Sequence, residues 1–226
     1  VTDAPLRMLL TAGPTHEPID AVRYLGNRSS GRLGIALAQA AAERGHTVTL
    51  LLGPTGQQLV HSSVRLERFR TADDLARLLE AHQRDCDVLV MAAAVADYRP
   101  ASHEADLTAK RRREPGKLTL ELESTPDLLA ACAQRRSRGQ CLVGFALEPR
   151  ATMVETAREK LIRKGIDLII ANPLETMDAE TIEAVLIGRP GTGFEEPRGP
   201  GHPVAKHAFA EWLLDAVAET YPRCAP

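Results

Sequence analysis

Aromatic residues are scarce in this 226-residue chain, 4% in all, with one Trp, three Tyr and four Phe. The core must therefore be built from Ala, Val, Leu and Ile rather than from large rings. Only four cysteines occur, Cys86, Cys132, Cys141 and Cys224, and no two form a CxxC pair. That pattern fits neither a zinc ribbon nor a disulfide scaffold, so free thiols in a reducing compartment are expected. The histidines show no metal-ligand spacing. No apolar run approaches the roughly 20 residues needed to cross a bilayer, and no charged segment leads into a long apolar one near the N-terminus. No membrane span and no secretory leader are expected, and the location expected is cytoplasmic. The formal net charge is only -2, which gives no bulk attraction to nucleic acid or membrane. Any anion must be held by a local site.

The rest of the composition is ordinary for a globular chain, 44% hydrophobic and 26% charged. The length favours a single α/β domain over residues 1–226. Short apolar runs predict strands at 7–11, 47–52, 64–69, 87–94, 118–122, 141–146, 167–171 and 184–187. Helices are predicted from 29–31 to about 44, and over 72–83, 126–133, 154–164 and 206–219. Gly45 and Gly165 suit left-handed helix ends. Strands separated by helices require crossovers, so a mostly parallel, Rossmann-like sheet with helices on both faces is expected. Three stretches read as loops: 13–28, 99–117 and the Gly/Pro-rich 188–203. The middle one carries Lys110-Arg111-Arg112-Arg113 and reads as an active-site flap.

Four places offer chemistry. Asn27-Arg28-Ser29-Ser30-Gly31 stands at a helix start, where backbone N–H groups and the helix dipole favour a phosphate, although a plain serine cap is the commoner occurrence. The first βα loop lacks G-x-G-x-x-G, so it is a poor dinucleotide site. Ala92-Ala93-Ala94-Val95-Ala96-Asp97 ends a buried strand, where open α/β sheets bind their ligands. Its alanines allow close approach, and Asp97 has the chemistry to accept from a base, a ribose or a lysine, or to hold a metal. A capped turn is the plain alternative. Lys110 to Arg113 is either a solvated face or a flap bringing positive charge over a triphosphate. Lys160 and Lys164 share one helix face, which solvent alone would also explain.

Together these segments resemble the phosphopantothenoylcysteine synthetase family. The resemblance is carried by Thr11-Ala12-Gly13-Pro14-Thr15-His16-Glu17-Pro18-Ile19-Asp20, Val22-Arg23-Tyr24 and Asn27-Arg28-Ser29-Ser30-Gly31. It continues through Ala94-Val95-Ala96-Asp97-Tyr98-Arg99-Pro100, Thr125-Pro126-Asp127-Leu128-Leu129, Val143-Gly144-Phe145-Ala146 and the run from Lys160 to Asn172. No single motif decides; their order along the chain does.

The resemblance implies a ligase that joins 4′-phosphopantothenate to L-cysteine, with CTP activating the carboxylate as an acyl-cytidylate and Mg²⁺ (or Mn²⁺) assisting. Asn27, Lys110 and Arg23 are implied as catalytic. Ser29, Ser30 and Gly31 would cradle phosphates. Ala93, Ala94, Asp97, Pro126, Asp127, Leu128, Leu129, Phe145, Lys160 and Lys164 would frame the nucleotide and intermediate. A homodimer is implied, with a flavin-dependent decarboxylase as a candidate partner. Many bacterial relatives carry that decarboxylase on the same polypeptide, so a stand-alone enzyme and an excised domain both stay open. Placing Lys110 on the family's flap lysine requires a slightly longer loop after Tyr98. Gly26 and Arg28 replace the usual Ser and His beside the asparagine, and Met177 and Ile182 replace the usual Phe and Asn. ATP in place of CTP, an NAD(P)-dependent oxidoreductase and a nucleotide-binding scaffold are the competing expectations.

Overall fold

The computed structural model describes residues 4–59, 61–101, 107–112, 115–177 and 179–224; Arg113 of the basic run lies outside them. Strand β1 (Arg7–Ala12) shows how the sheet is built. Met8, Leu10 and Ala12 pack on one face and Leu9 on the other, all deeply buried, because successive strand residues project to opposite sides. A strand apolar on both faces belongs inside a parallel sheet covered by helices on each side.

The chain continues through β2 (His16–Pro18), β3 (Tyr24–Gly26), α1 (Arg32–Glu43), β4 (Thr47–Leu52), β5 (Arg65–Arg68), α2 (Ala72–His82) and β6 (Val88–Met91). Next come β7 (Tyr98–Pro100), β8 (Leu122–Ser124), α3 (Leu128–Arg135), β9 (Cys141–Glu148), α4 (Met153–Lys164) and β10 (Leu168–Pro173). Finally there are β11 (Thr181–Ile182), β12 (Val185–Gly188), β13 (Val204–Ala205) and α5 (Lys206–Cys224). Seven strands form the main sheet in the order β12-β10-β9-β6-β1-β4-β5. All neighbours are parallel except the edge pair β10–β12. This is the expected mostly parallel α/β fold.

Helices α1 and α5 cover one face, with Leu37, Ala38, Phe209 and Leu213 against Met8, Leu10 and Leu50. Helices α2, α3 and α4 cover the other, with Leu75, Leu79, Leu129 and Leu161 against Leu9, Leu51 and Leu89. Close packing of α1 depends on Gly34, where a Cβ would lie 2.4 Å from the Ala12 Cβ.

Two stretches differ from the sequence expectation, and the loop expected at 188–203 is present. The 13–28 loop contains the β2–β3 hairpin. It is closed by the Asp20 carboxylate, which accepts from the Val22 and Arg23 amides, and by His16 stacked on Tyr24 at 3.6 Å between ring centroids. The strand expected at 118–122 forms instead at Leu122–Ser124, where it pairs with β7 outside the main sheet. The Gly/Pro-rich stretch after β12 folds back on that strand, with Leu186 and Arg198 exchanging backbone hydrogen bonds.

Strands β4 and β6 flank β1, so the chain reverses direction across the sheet at β1. In such sheets the crevice outside the strand C-termini at the reversal point is where ligands sit.

Candidate functional site

The loops leaving β1 and β6 are laced together. The Ala94 amide donates to the Gly13 carbonyl (2.9 Å), and the Thr15 amide donates to the Ala94 carbonyl (3.1 Å). Two buried hydroxyls complete the join: Thr11 Oγ1 accepts from the Ala93 amide and Thr15 Oγ1 from the Ala96 amide, each at 3.0 Å. The Asn27 side-chain amide donates to the Val95 carbonyl at 2.9 Å, which fixes the orientation of its carboxamide. The amides of Ala93 and Ala94 are thus used within the protein, and these residues offer a ligand a low wall rather than donors.

Helix α1 begins without a side-chain cap. Its N-cap is Gly31, at φ 72° in the left-handed region, and no acidic residue lies in its first turn. Ser30 Oγ approaches the Arg32 amide only at 3.5 Å. Gly31 rather than a serine is therefore the N-cap, and a helix start of this kind, whose first N–H groups have no partner within the helix, is chemically suited to an anion.

Between this helix start and α4 lies a cavity of about 740 Å³. Asn27, Ser29, Ser30, Gly31, Ala93, Ala94, Asp97, Pro126, Asp127, Leu128, Leu129, Phe145, Lys160 and Lys164 all line it. Residues from the ends of four elements and from sequence positions more than a hundred apart are thereby brought to one crevice. Lys160 is paired with Glu148, and Lys164 Nζ lies 2.6 Å from Asp127 Oδ2. Asp127 also caps α3 through the Ala130 amide (3.1 Å). Burial would raise its carboxyl pKa, but Lys164 and that amide outweigh burial and hold it below the ordinary carboxylate value.

Arg23 and Lys110 do not line this cavity. Arg23 sits at the tip of the β2–β3 hairpin. It is bound to the Asp20 carboxylate and donates to the Arg111 carbonyl at 3.0 Å. The Arg111 amide donates to Asp20 (3.1 Å), and the Ala21 amide to the Ala109 carbonyl (3.2 Å). The hairpin tip and the basic stretch therefore form one unit beside the site, with Lys110 exposed on it. Chiefly through Arg23, the buried Asp20 carboxyl is held well below its ordinary range.

Several lining residues were not among the sequence candidates: Arg163, Asn172, Thr176 and Lys206, with Met177 and Ile182 from the divergent segment. Asn172 lies near the end of β10, where strand-end logic would have found it; no pattern marks Lys206. Among the described residues one group of three potential metal ligands occurs, Cys141, Asp167 and Cys224. It lies at the opposite end of the sheet, where Arg136 (3.0 Å) and Arg189 (2.6 Å) already hold Asp167. No helix among the described residues is long and apolar enough to cross a membrane.

Residues 4–220 match the family described as the DNA/pantothenate metabolism flavoprotein C-terminal domain. The chain is 41% identical over 226 residues to the coenzyme A biosynthesis bifunctional protein CoaBC of Mycolicibacterium smegmatis, covering 95% of this chain and 53% of that protein. It spans about half the length of the curated relatives it matches. Among solved structures, the C-terminal domain of a coenzyme A biosynthesis bifunctional protein CoaBC superposes with TM-score 0.76 at 30% identity, covering 96% of each chain. A Cab2 variant in complex with phosphopantothenate-cysteine gives TM-score 0.77 at 18% identity, covering 97% of this chain and 87% of that one, a likeness of fold alone.

Proposed function

Because the chain belongs to the DNA/pantothenate metabolism flavoprotein C-terminal domain family, we propose that it joins 4′-phosphopantothenate to L-cysteine at the expense of CTP. A carboxylate and an amine do not condense at neutral pH without a leaving group. In the first step a carboxylate oxygen of phosphopantothenate attacks the α-phosphorus, and pyrophosphate leaves. In the second the cysteine amine attacks the acyl carbon, CMP leaves, and the amine proton is lost. Both steps develop charge on oxygens, which preorganised donors stabilise.

The observation that carries this reading is that Asn27, Asp97 and Lys160 line one cavity at the point where the sheet reverses. The uncapped start of α1, with Ser29 and Ser30, supplies donors for phosphate oxygens. Asn27, held by the Val95 carbonyl, would keep the acyl carbonyl oriented during amine attack. Phe145 offers a ring face for the base. Arg23 and Lys110 lie outside the cavity of the single chain, so their contact with the intermediate is expected only in the assembled homodimer. Exposed Val22, Tyr24, Tyr98 and Leu122, on two hairpins, offer apolar surface for that association.

Mg²⁺ fits the donor set. Asp97 and Asp127 are the carboxylates that line the cavity, and Asp127 is engaged by Lys164. Magnesium is commonly held by one or two carboxylates together with substrate phosphates, so Asp97 would hold it here. Bound there, the ion would neutralise charge on the triphosphate.

The test is release of CMP and pyrophosphate with phosphopantothenate, cysteine, CTP and Mg²⁺. Absence of CMP from folded protein rejects CTP dependence, while turnover with ATP alone keeps the reaction class and changes the nucleotide. Asn27→Asp is expected to accumulate acyl-nucleotidylate without product; unimpaired product formation removes Asn27 from its role.

A further inference from the structure

We propose that Asp20 is a positioning residue for the ligase reaction: its carboxylate locks Arg23 and the backbone beside Lys110 into one unit, so that guanidinium and ammonium reach the intermediate at a fixed spacing. This rests on the functional reading above and deepens it. Asp20 is almost fully buried, and its side chain is closed to solvent. It lies in the β2–β3 hairpin, between Pro18 and Tyr24. The base of that hairpin is fixed to the start of α2. There the His16 amide donates to the Arg70 carbonyl (2.7 Å), and Glu17 Oε1 accepts from the Ala72 amide (2.8 Å).

Each carboxylate oxygen has its own task. Oδ1 closes the hairpin turn, accepting from the Val22 (2.9 Å) and Arg23 (2.8 Å) amides. Oδ2 accepts from Arg23 Nε (2.9 Å), from Arg23 Nη2 and from the Arg111 amide (3.1 Å). Arg23 Nη2 also donates to the Arg111 carbonyl at 3.0 Å. Carboxylate, guanidinium and the Arg111 backbone thus close a ring. On the other side of Lys110, the Ala109 carbonyl accepts from the Ala21 amide at 3.2 Å. Both chain neighbours of Lys110 are therefore bonded to residues 20–23, although 91 positions separate Asp20 from Arg111.

Such a network does more than close a turn. A neutral side chain such as Asn or Ser at position 20 would accept from the turn amides as well. What the charge adds is its grip on Arg23 and on the Arg111 amide. Neither Arg23 nor Lys110 lines the cavity of the single chain, so the protein itself must orient them. The Arg23 side chain is 43% exposed, and an untethered arginine there would sample many rotamers, whose loss opposes binding. The guanidinium is planar and its donors form a rigid fork, so holding Nε and Nη2 dictates where the Nη1 edge points. Nη1 makes no hydrogen bond among the described residues and is the edge that can meet a ligand anion. Small misplacements of such groups lower rates by large factors.

A double-mutant cycle on the full chain, read by product formation, tests the assignment. Asp20→Asn is expected to lower kcat/KM about tenfold, the scale of one charge-assisted hydrogen bond. In an Arg23→Ala background the same substitution should have little further effect, because the group that Asp20 orients is gone. A merely structural role would lower both backgrounds alike. Asp20→Ser, which keeps an acceptor for the turn, replaces Asp20→Asn if that variant does not fold. Limited trypsin digestion, well below the unfolding temperature, should cut after Lys110 and Arg111 several-fold faster in Asp20→Asn. The Ala21–Ala109 bond remains and Arg111 makes a further contact, so the stretch loosens rather than detaches. Equal falls in the two backgrounds, or unchanged cleavage at these positions, overturn the role of Asp20 alone. Wild-type protein that turns over neither CTP nor ATP overturns the functional reading with it.

Discussion

Lys164 Nζ lies 2.6 Å from Asp127 Oδ2, joining the end of α4 to the start of α3 within the wall of the cavity. The pair is partly solvent-exposed, so its direct contribution to stability is small, about 0–1 kcal/mol. Its value lies in placing an ammonium where the nucleotide is expected. Lys164→Ala should therefore raise the nucleotide KM about tenfold while shifting thermal unfolding little. Asp127→Ala removes the α3 cap as well and should cost about 1 kcal/mol. Steady-state kinetics beside thermal melts separate the two effects. An unaltered nucleotide KM in Lys164→Ala would take that lysine out of the site.

The hydroxyl of Thr11 is buried and accepts from the Ala93 amide at 3.0 Å, across the gap between β1 and β6. Valine has nearly the same shape but no acceptor, so Thr11→Val leaves a partly buried N–H without its partner. The cost expected is about 1–3 kcal/mol, read as a lower urea midpoint with an unchanged m-value. Since Ala93 lines the cavity, a fall in activity should accompany it. A neutral Thr11→Val would mean that another group satisfies this amide.

Such hydroxyls show what a sequence conceals. The apolar run at 47–52 reads directly as a strand, and β4 occupies those residues, because burial on both faces leaves a continuous hydrophobic signature. Gly45 and Gly165 were legible as helix ends, and both have positive φ. Thr11 looks like one β-branched residue among apolar neighbours; its function comes from Ala93, which is remote in sequence. The β2–β3 hairpin has no alternating pattern, since side-chain hydrogen bonds of Asp20 close its turn. Spacing put Lys160 and Lys164 on one helix face, but their partners Glu148 and Asp127 come from other elements. The site was therefore readable chiefly through the family resemblance. Lys206 had no sequence signal because its place depends on the packing of α5 against α1.

Gly34 provides a sharper packing test. A Cβ there would meet the Ala12 Cβ at 2.4 Å and the Thr11 carbonyl oxygen at 3.1 Å. Strand β1 is held on both sides by β4 and β6, so α1 would have to move. Gly34→Ala should destabilise by about 1–3 kcal/mol despite the better helix propensity of alanine. The displacement would also carry Ser29 to Gly31 away from the cavity, so nucleotide affinity should fall at temperatures where the variant remains folded. Equal affinity in wild type and variant would show that α1 is free to shift without disturbing the phosphate cradle.

Asp20 sets the last expectation, in acid. Its carboxyl is held well below the ordinary range, first by Arg23 and then by the Val22, Arg23 and Arg111 amides. A group whose pKa is depressed by folding stabilises the native state above its unfolded value of about 3.9. That contribution is lost as pH falls through this value toward the folded pKa, because the unfolded chain then binds the proton more readily. Asp20→Asn should accordingly be less stable than wild type at pH 7 and lose stability more gently on acidification. The two should converge at low pH. Asp74, Asp87 and Asp127 are depressed as well, so the variant keeps part of its acid sensitivity. Urea unfolding at pH 7, 4 and 3 measures the difference, and parallel curves for the two proteins would show that the Asp20 charge does not hold the hairpin tip to residues 109–111.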